Sequence, residues 1–120
     1  MNLNSILIGS EDPQRLAEYY TRLFGEPSWN EGGYIGWLIG SGAVTVGPHD
    51  EVKGRNAQPG RIIWNIESPD VAGDFERFKA AGATVIREPY GMEEGDDQGL
   101  IATFADPDDN YFQLMSPMPG

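Results

Sequence analysis

The chain has 120 residues, a length for one domain that buries about 65% of its unfolded surface and so holds a real core. With 39% hydrophobic residues it is neither disordered nor fibrous. Its 19 acidic and 8 basic residues give a net charge of -11, which argues against nucleic acid and anionic membrane surfaces as partners. No apolar run approaches the roughly 20 residues of a spanning helix. Met1-Asn2-Leu3-Asn4 has no basic region ahead of an apolar stretch, so no signal peptide is read and a cytoplasmic location is expected. There is no cysteine, and His49 is the single histidine. Disulfides, thiolate metal sites and a Cys–His pair are therefore excluded, and a conventional transition-metal site is hard to build.

Ile6-Leu7-Ile8 opens the chain as a strand, and Asp12-Pro13 follows as a helix cap and first helical residue. Leu16, Tyr19, Tyr20, Leu23 and Phe24 then fall on one helical face. Gly25 can end that helix in the left-handed conformation. A short strand near Trp29, a strand over 34–39, a Gly40-Ser41-Gly42 turn and a strand over 43–47 complete the first half.

The same design recurs 56 residues later, with Ile62 corresponding to Ile6, Pro69 to Pro13 and Phe75 to Tyr19. Ile62-Ile63-Trp64 leads into Ser68-Pro69, then Val71, Phe75 and Phe78, and Gly82 stops the helix. Strands over 84–87, 100–104 and 111–115 complete the second half. One domain is expected over 1–120, with module 1 at about 1–48, a linker at about 49–60 and module 2 at about 61–117. Residues 89–99 form a second loop holding Glu93, Glu94, Asp96 and Asp97, too polar for the core. It is a solvated surface or a lid that attracts a cationic ligand.

Alternation assigns faces. Ile6, Ile8, Val44 and Val46 face the first helix; Ser5, Leu7, Gly9, Ala43, Thr45 and Gly47 face away. Ile62, Trp64, Ile66, Phe112 and Leu114 face the second helix; Arg61, Ile63, Asn65, Tyr111, Gln113 and Met115 face away. A curved sheet would gather these second faces around one concavity, with small side chains from the first half and larger polar ones from the second. Ser5, Leu7, Thr45, Arg61, Asn65, Tyr111 and Gln113 are the candidate ligand-binding residues.

Ile6-Leu7-Ile8, Asp12-Pro13, Tyr19-Tyr20 and Leu23-Phe24-Gly25 resemble the first half of the vicinal oxygen chelate superfamily, the glyoxalase, bleomycin-resistance and ring-cleaving dioxygenase group. Phe104-Ala105-Asp106-Pro107-Asp108-Asp109-Asn110 followed by Tyr111-Phe112-Gln113-Leu114 resembles its last turn and strand. The resemblance implies an α+β fold of two βαβββ modules forming a curved mixed sheet, assembled as a homodimer. It also implies metal ligands, usually His, Glu or Gln, at positions that fall here on Ser5, Thr45, Arg61 and Gln113. Only Gln113 is of the family's kind. Hydroxyls bind divalent transition metals poorly against water, and a guanidinium cannot ligate.

The remaining candidates read as structure. His49, in Gly47-Pro48-His49-Asp50, is an exposed loop histidine; the alternative is a base or ligand at the mouth of the site. Asp106, Asp108 and Asn110 have the opening spacing of a calcium loop, but Tyr111 and Pro117 stand where such a loop needs Gly and Glu. They are expected to bond local backbone amides. Arg61 either pairs with a nearby carboxylate or binds an anionic or carbonyl group of a ligand. Trp64 is expected in the core, and Tyr34 and Trp37 on opposite faces. Ser5 has no His partner, so a serine nucleophile is unsupported.

The sequence thus points to a metal-free, cofactor-free protein that binds a small organic molecule, with sequestration of an antibiotic or toxic metabolite as the concrete form. The alternative is a lyase, isomerase or dioxygenase of the same family acting on a small oxygenated substrate. No residue is assigned a catalytic role. A purely structural or regulatory protein would instead show a filled cleft and an exposed apolar patch.

Overall fold

Each half of the chain is a strand, a helix and three strands. The first comprises β1 (Ser5–Ser10), α1 (Pro13–Phe24), β2 (Trp29–Glu31), β3 (Tyr34–Ile39) and β4 (Gly42–Pro48). The second comprises β5 (Trp64–Glu67), α2 (Val71–Ala80), β6 (Thr84–Gly91), β7 (Leu100–Ala105) and β8 (Tyr111–Met115). The computed structural model describes residues 1–91 and 99–117, so the acidic stretch 93–97 lies outside the described residues. Two compact units, Met1–Arg55 and Asn56–Gly120, divide the chain within the expected linker. This is the expected α+β architecture of two βαβββ modules, each with its own four-stranded mixed sheet. Among the described residues no helix is long and apolar enough to cross a membrane.

In the first unit the strand order is β1-β4-β3-β2. β1 and β4 are parallel and the other pairs antiparallel. α1 covers one face of this sheet. Asp12 caps it by accepting from the Arg15 amide, and Pro13 takes the first helical position. Leu16, Tyr20 and Leu23 from the helix meet Trp37, Val44 and Val46 from the sheet, all fully buried. The Trp37 and Tyr20 rings lie 6.0 Å apart, and the Trp37 indole N–H donates to the Gly25 carbonyl at 3.0 Å. Gly25 ends α1 with φ 89° and ψ -164°. The positive φ agrees with expectation, but this ψ belongs to the region open essentially only to glycine rather than to the left-handed helix.

The second unit repeats the plan, with order β5-β8-β7-β6 and β5 parallel to β8. Phe75 and Phe78 of α2 pack on Phe104 at 5.4 and 5.6 Å between centroids. Trp64 stacks on Phe112 at 5.3 Å, on the helix side as expected.

The internal repeat is real, but its spacing is 58 residues rather than 56. Buried Ser10 accepts from the Asp12 amide, and buried Ser68 accepts from the Asp70 amide. Asp70, not Ser68, caps α2, accepting from the Gly73 amide. Pro69 therefore lies ahead of the cap, whereas Pro13 lies inside its helix. Strand pairing agrees, because Ile6 opposes Val44 as Trp64 opposes Phe112. Ile6 thus matches Trp64, not Ile62. Residues 61–63 lie before the strand, and Ile62 is 77% exposed instead of facing the helix. A further difference is β6, expected over 84–87, which runs on to Gly91 through Pro89. It is an edge strand, where a missing N–H is tolerated.

The turn between β7 and β8 is built on Asp106, which is 3% exposed. Its carboxylate accepts from the amides of Asp108 and Asn110 at 2.9 and 3.0 Å and from the Asn110 side chain. Asp106 thus bonds local backbone, as expected. Asn56 ties onto the turn through its amide, which donates to the Asp108 carbonyl, and its side chain, which donates to Asn110. Asp106→Ala leaves these buried donors without their acceptor and is expected to cost about 2 kcal/mol, read as a lowered urea midpoint at unchanged m-value.

Candidate functional site

Each sheet is covered by its helix on one face only, and every candidate strand residue lies on the other. In the first sheet Leu7, Thr45, Gly36 and Trp29 form one cross-strand row. Ser5, Ala43 and Leu38 form the next. Leu7 and Leu38 are 58% and 66% exposed, and Ser5 is exposed as well.

Two glycines in the strands give this face its floor. A Cβ on Gly36 would stand 2.1 Å from the Trp29 ring, and one on Gly47 would stand 2.2 Å from the Tyr34 ring. Each aromatic ring thus lies flat on the backbone of the neighbouring strand, which only glycine permits. Tyr34 keeps 41% of its surface exposed, while Trp37 is buried, so the two lie on opposite faces as expected. The rows containing Leu7 and Ser5 carry no formal charge. An interior glycine beside an aromatic-rich strand is the sequence signal for this floor, and the candidate set omits both rings.

The corresponding face of the second sheet carries a polar row beside the apolar row of Met115, Ile101 and Tyr90. Asn65, Gln113, Thr103 and Arg87 form one row across all four strands. Gln113 donates from Nε2 to Thr103 Oγ1 at 2.9 Å, which fixes its amide and leaves Oε1 as its acceptor. Tyr111, half-buried, pairs with Ala105 in the next row.

Arg61 is not on a strand. It closes a 3-10 turn, Pro59–Arg61, and its guanidinium donates to Gln58 Oε1 from Nε at 3.0 Å and also from Nη2. No carboxylate partner for it occurs among the described residues. Instead it lines an open pocket of about 320 Å³ with Asn56, Ala57, Gln58 and Ile62. A second open groove, about 230 Å³, lies between α1 and the β2 edge, lined by Gln14, Glu18 and Asn30 among others.

The donors present do not fit the metal that the fold's enzymes use. Ser5 and Thr45 supply neutral hydroxyls and Arg61 a cation held by Gln58, which leaves the Gln113 Oε1 as the one family-like donor of the four. Among the described residues no group of three His, Asp or Glu could hold an ion. His49 is an exposed loop residue whose Nδ1 accepts from the Glu51 amide at 3.2 Å, in line with the first of its two readings.

The family model of the glyoxalase-like domain matches residues 5–115. The chain belongs to that family, within the vicinal oxygen chelate superfamily of glyoxalases, bleomycin-resistance proteins and dioxygenases. Among solved structures it is similar to a glyoxalase-related enzyme from Fulvimarina pelagi, with 21% identity, a TM-score of 0.75, and 98% of this chain and 88% of that one covered. It is also similar to a glyoxalase/bleomycin resistance protein/dioxygenase family enzyme from Burkholderia phytofirmans PsJN, with 20% identity, a TM-score of 0.73, and 98% and 100% covered. The fosfomycin resistance protein FosX from Listeria monocytogenes shares the fold at 18% identity and a TM-score of 0.63, with 98% and 93% covered. No curated protein gives a significant match.

Gly36→Ala is expected to destabilise the chain by about 1–3 kcal/mol, because the new methyl displaces the Trp29 ring. Trp29→Ala in the same chain recovers part of that loss, a coupling that a double-mutant cycle in urea measures.

Proposed function

We propose that this chain binds a small organic molecule without a metal or other cofactor, on the sheet faces that the helices leave uncovered. One observation carries the reading. The first sheet offers a largely apolar face, with Leu7, Leu38 and Tyr34 exposed and Trp29 and Tyr34 laid flat on glycines. Such a surface suits a ligand with an apolar or aromatic body. The neutral hydroxyls of Ser5 and Thr45, at two of the positions carried over from the metal-dependent enzymes, support the metal-free part of the proposal. Sequestration of an antibiotic or toxic metabolite is its concrete form, in keeping with a fosfomycin resistance protein among the structural neighbours. Ser5, Leu7, Thr45, Asn65, Tyr111 and Gln113 contact the ligand in this reading. Arg61 contributes from its own pocket rather than from a strand. The working unit is a homodimer in the cytoplasm.

Titration of a broad panel of small aromatic and heterocyclic compounds, followed by tryptophan fluorescence, is expected to give saturable quenching. Leu7→Glu is expected to abolish it without lowering the thermal midpoint, since Leu7 is exposed. A panel without a single binder overturns the proposal. Light scattering is expected to return twice the 13.2 kDa chain mass.

The second reading, an enzyme of the same superfamily acting on a small oxygenated substrate, rests on Gln113, the one residue of the family's ligand type. Elemental analysis of purified protein discriminates. The metal-free proposal expects no stoichiometric divalent ion, and one tightly held ion per chain favours the enzyme.

A further inference from the structure

We infer that the open face of the second sheet is built to receive an oxyanion, a carboxylate or phosphoryl group of the bound molecule, and that Arg87 is the residue that selects it. The inference rests on the proposal that these faces bind ligand, and adds the chemical class.

Two irregularities in β6 carry the argument. Val85 pairs with Phe104 and Arg87 with Thr103, so two steps on β6 match one on β7. Tyr90 pairs with Ile101, so the next three steps match two. Each shift inserts one extra residue, and each reverses the facing of the residues beyond it. Without the first, Ile86 would oppose Thr103 and Arg87 would point to the helix side. Without the second, Tyr90 would point away from Arg87, as residues three apart do on a regular strand. Together the two bulges place a guanidinium and a phenol ring on the same open face.

There the Arg87 guanidinium carbon lies 3.6 Å from the Tyr90 ring centroid. Stacking on an aromatic face holds the planar fork while leaving its N–H donors in its own plane free for an oxyanion. Among the described residues no carboxylate pairs with Arg87. The row it ends adds the neighbouring Gln113 and Thr103 pair, neutral groups that can donate to the same ligand. Glu67 lies on β5 at the opposite edge, three strand spacings or about 14 Å away. That exceeds the Debye length of about 8 Å at physiological salt, so Glu67 is screened from Arg87; Glu88, the exposed chain neighbour of Arg87, is the carboxylate within that length. An arginine aimed by one backbone insertion and braced by a ring that a second insertion aims is a recognition element for planar or tetrahedral oxyanions.

The test titrates benzoate, phenylphosphonate and the neutral isostere benzamide into the full chain, by tryptophan fluorescence and by NMR of the arginine side-chain N–H signals. At least one of the two anions is expected to bind more tightly than benzamide and to shift the Arg87 signal; which anion wins names the group. Arg87→Met keeps an alkyl chain on Tyr90 and is expected to weaken the anion about fivefold, the upper range for an exposed ion pair, with benzamide unchanged. Arg87→Lys restores part of the loss. Tyr90→Phe retains the preference and Tyr90→Leu weakens it, which separates the ring's bracing from its hydroxyl. If benzamide binds as tightly as both anions, or Arg87→Met keeps the preference, the inference falls while the binding proposal stands. If none of the three binds but other panel members do, the oxyanion class alone is overturned; if nothing binds, both fall.

Discussion

The two-residue period of the strand is the constraint on which the rest of this molecule depends. Each sheet has one helix, so each has one face under cover and one left open. A residue's place in the pleat therefore decides whether it builds the core or meets a ligand. The core is the direct result: Val44 and Val46 lie under α1, and Phe112 and Leu114 under α2. The open faces are what remains, with Leu7 and Thr45 on one sheet and Asn65 and Gln113 on the other. Where the period is kept, side chains alternate as the sequence dictates. Where the backbone inserts a residue, as in β6, the same period turns a side chain to the other face.

This is also why some of the structure is legible in the sequence and some is not. The element order, both helices, the core and the facing of β1, β4 and β8 can be read from apolar periodicity, which reports burial under a helix. Asp12 and the turn at Asp106 are readable because their side chains bond neighbouring backbone. The repeat spacing misleads because Pro13 and Pro69 look equivalent. The caps that position the helices are instead Asp12 and Asp70, each preceded by a serine that accepts its amide. Arg61 consequently reads as a strand residue, although the strand starts only at Trp64. Arg87 and Tyr90 are illegible for a different reason, since a bulge in an edge strand leaves no mark in a polar sequence.

The two units share one plan, yet their open faces differ in kind. The first is made of small and apolar residues and takes its shape from rings laid on backbone. The second carries a hydrogen-bonding row, with Gln113 and Thr103 already joined. The two modules keep the same strand order and parallel pair, so the difference lies in side chains that the helices do not constrain and in the register shifts of β6. A fold whose stability resides on one face of each sheet leaves the other free to change its chemistry.

The rings on Gly36 and Gly47 carry that point further. Because each ring occupies the space a Cβ would need, Gly36 is fixed while Trp29 is present, and Gly47 while Tyr34 is present. A lineage that loses Trp29 releases Gly36 to any residue, and one that fills Gly36 first must evict the ring. Among relatives these pairs should therefore covary, each glycine appearing where its aromatic does. Two substitutions in the right order would convert a flat floor into a walled one, giving the family a short route from one guest to another.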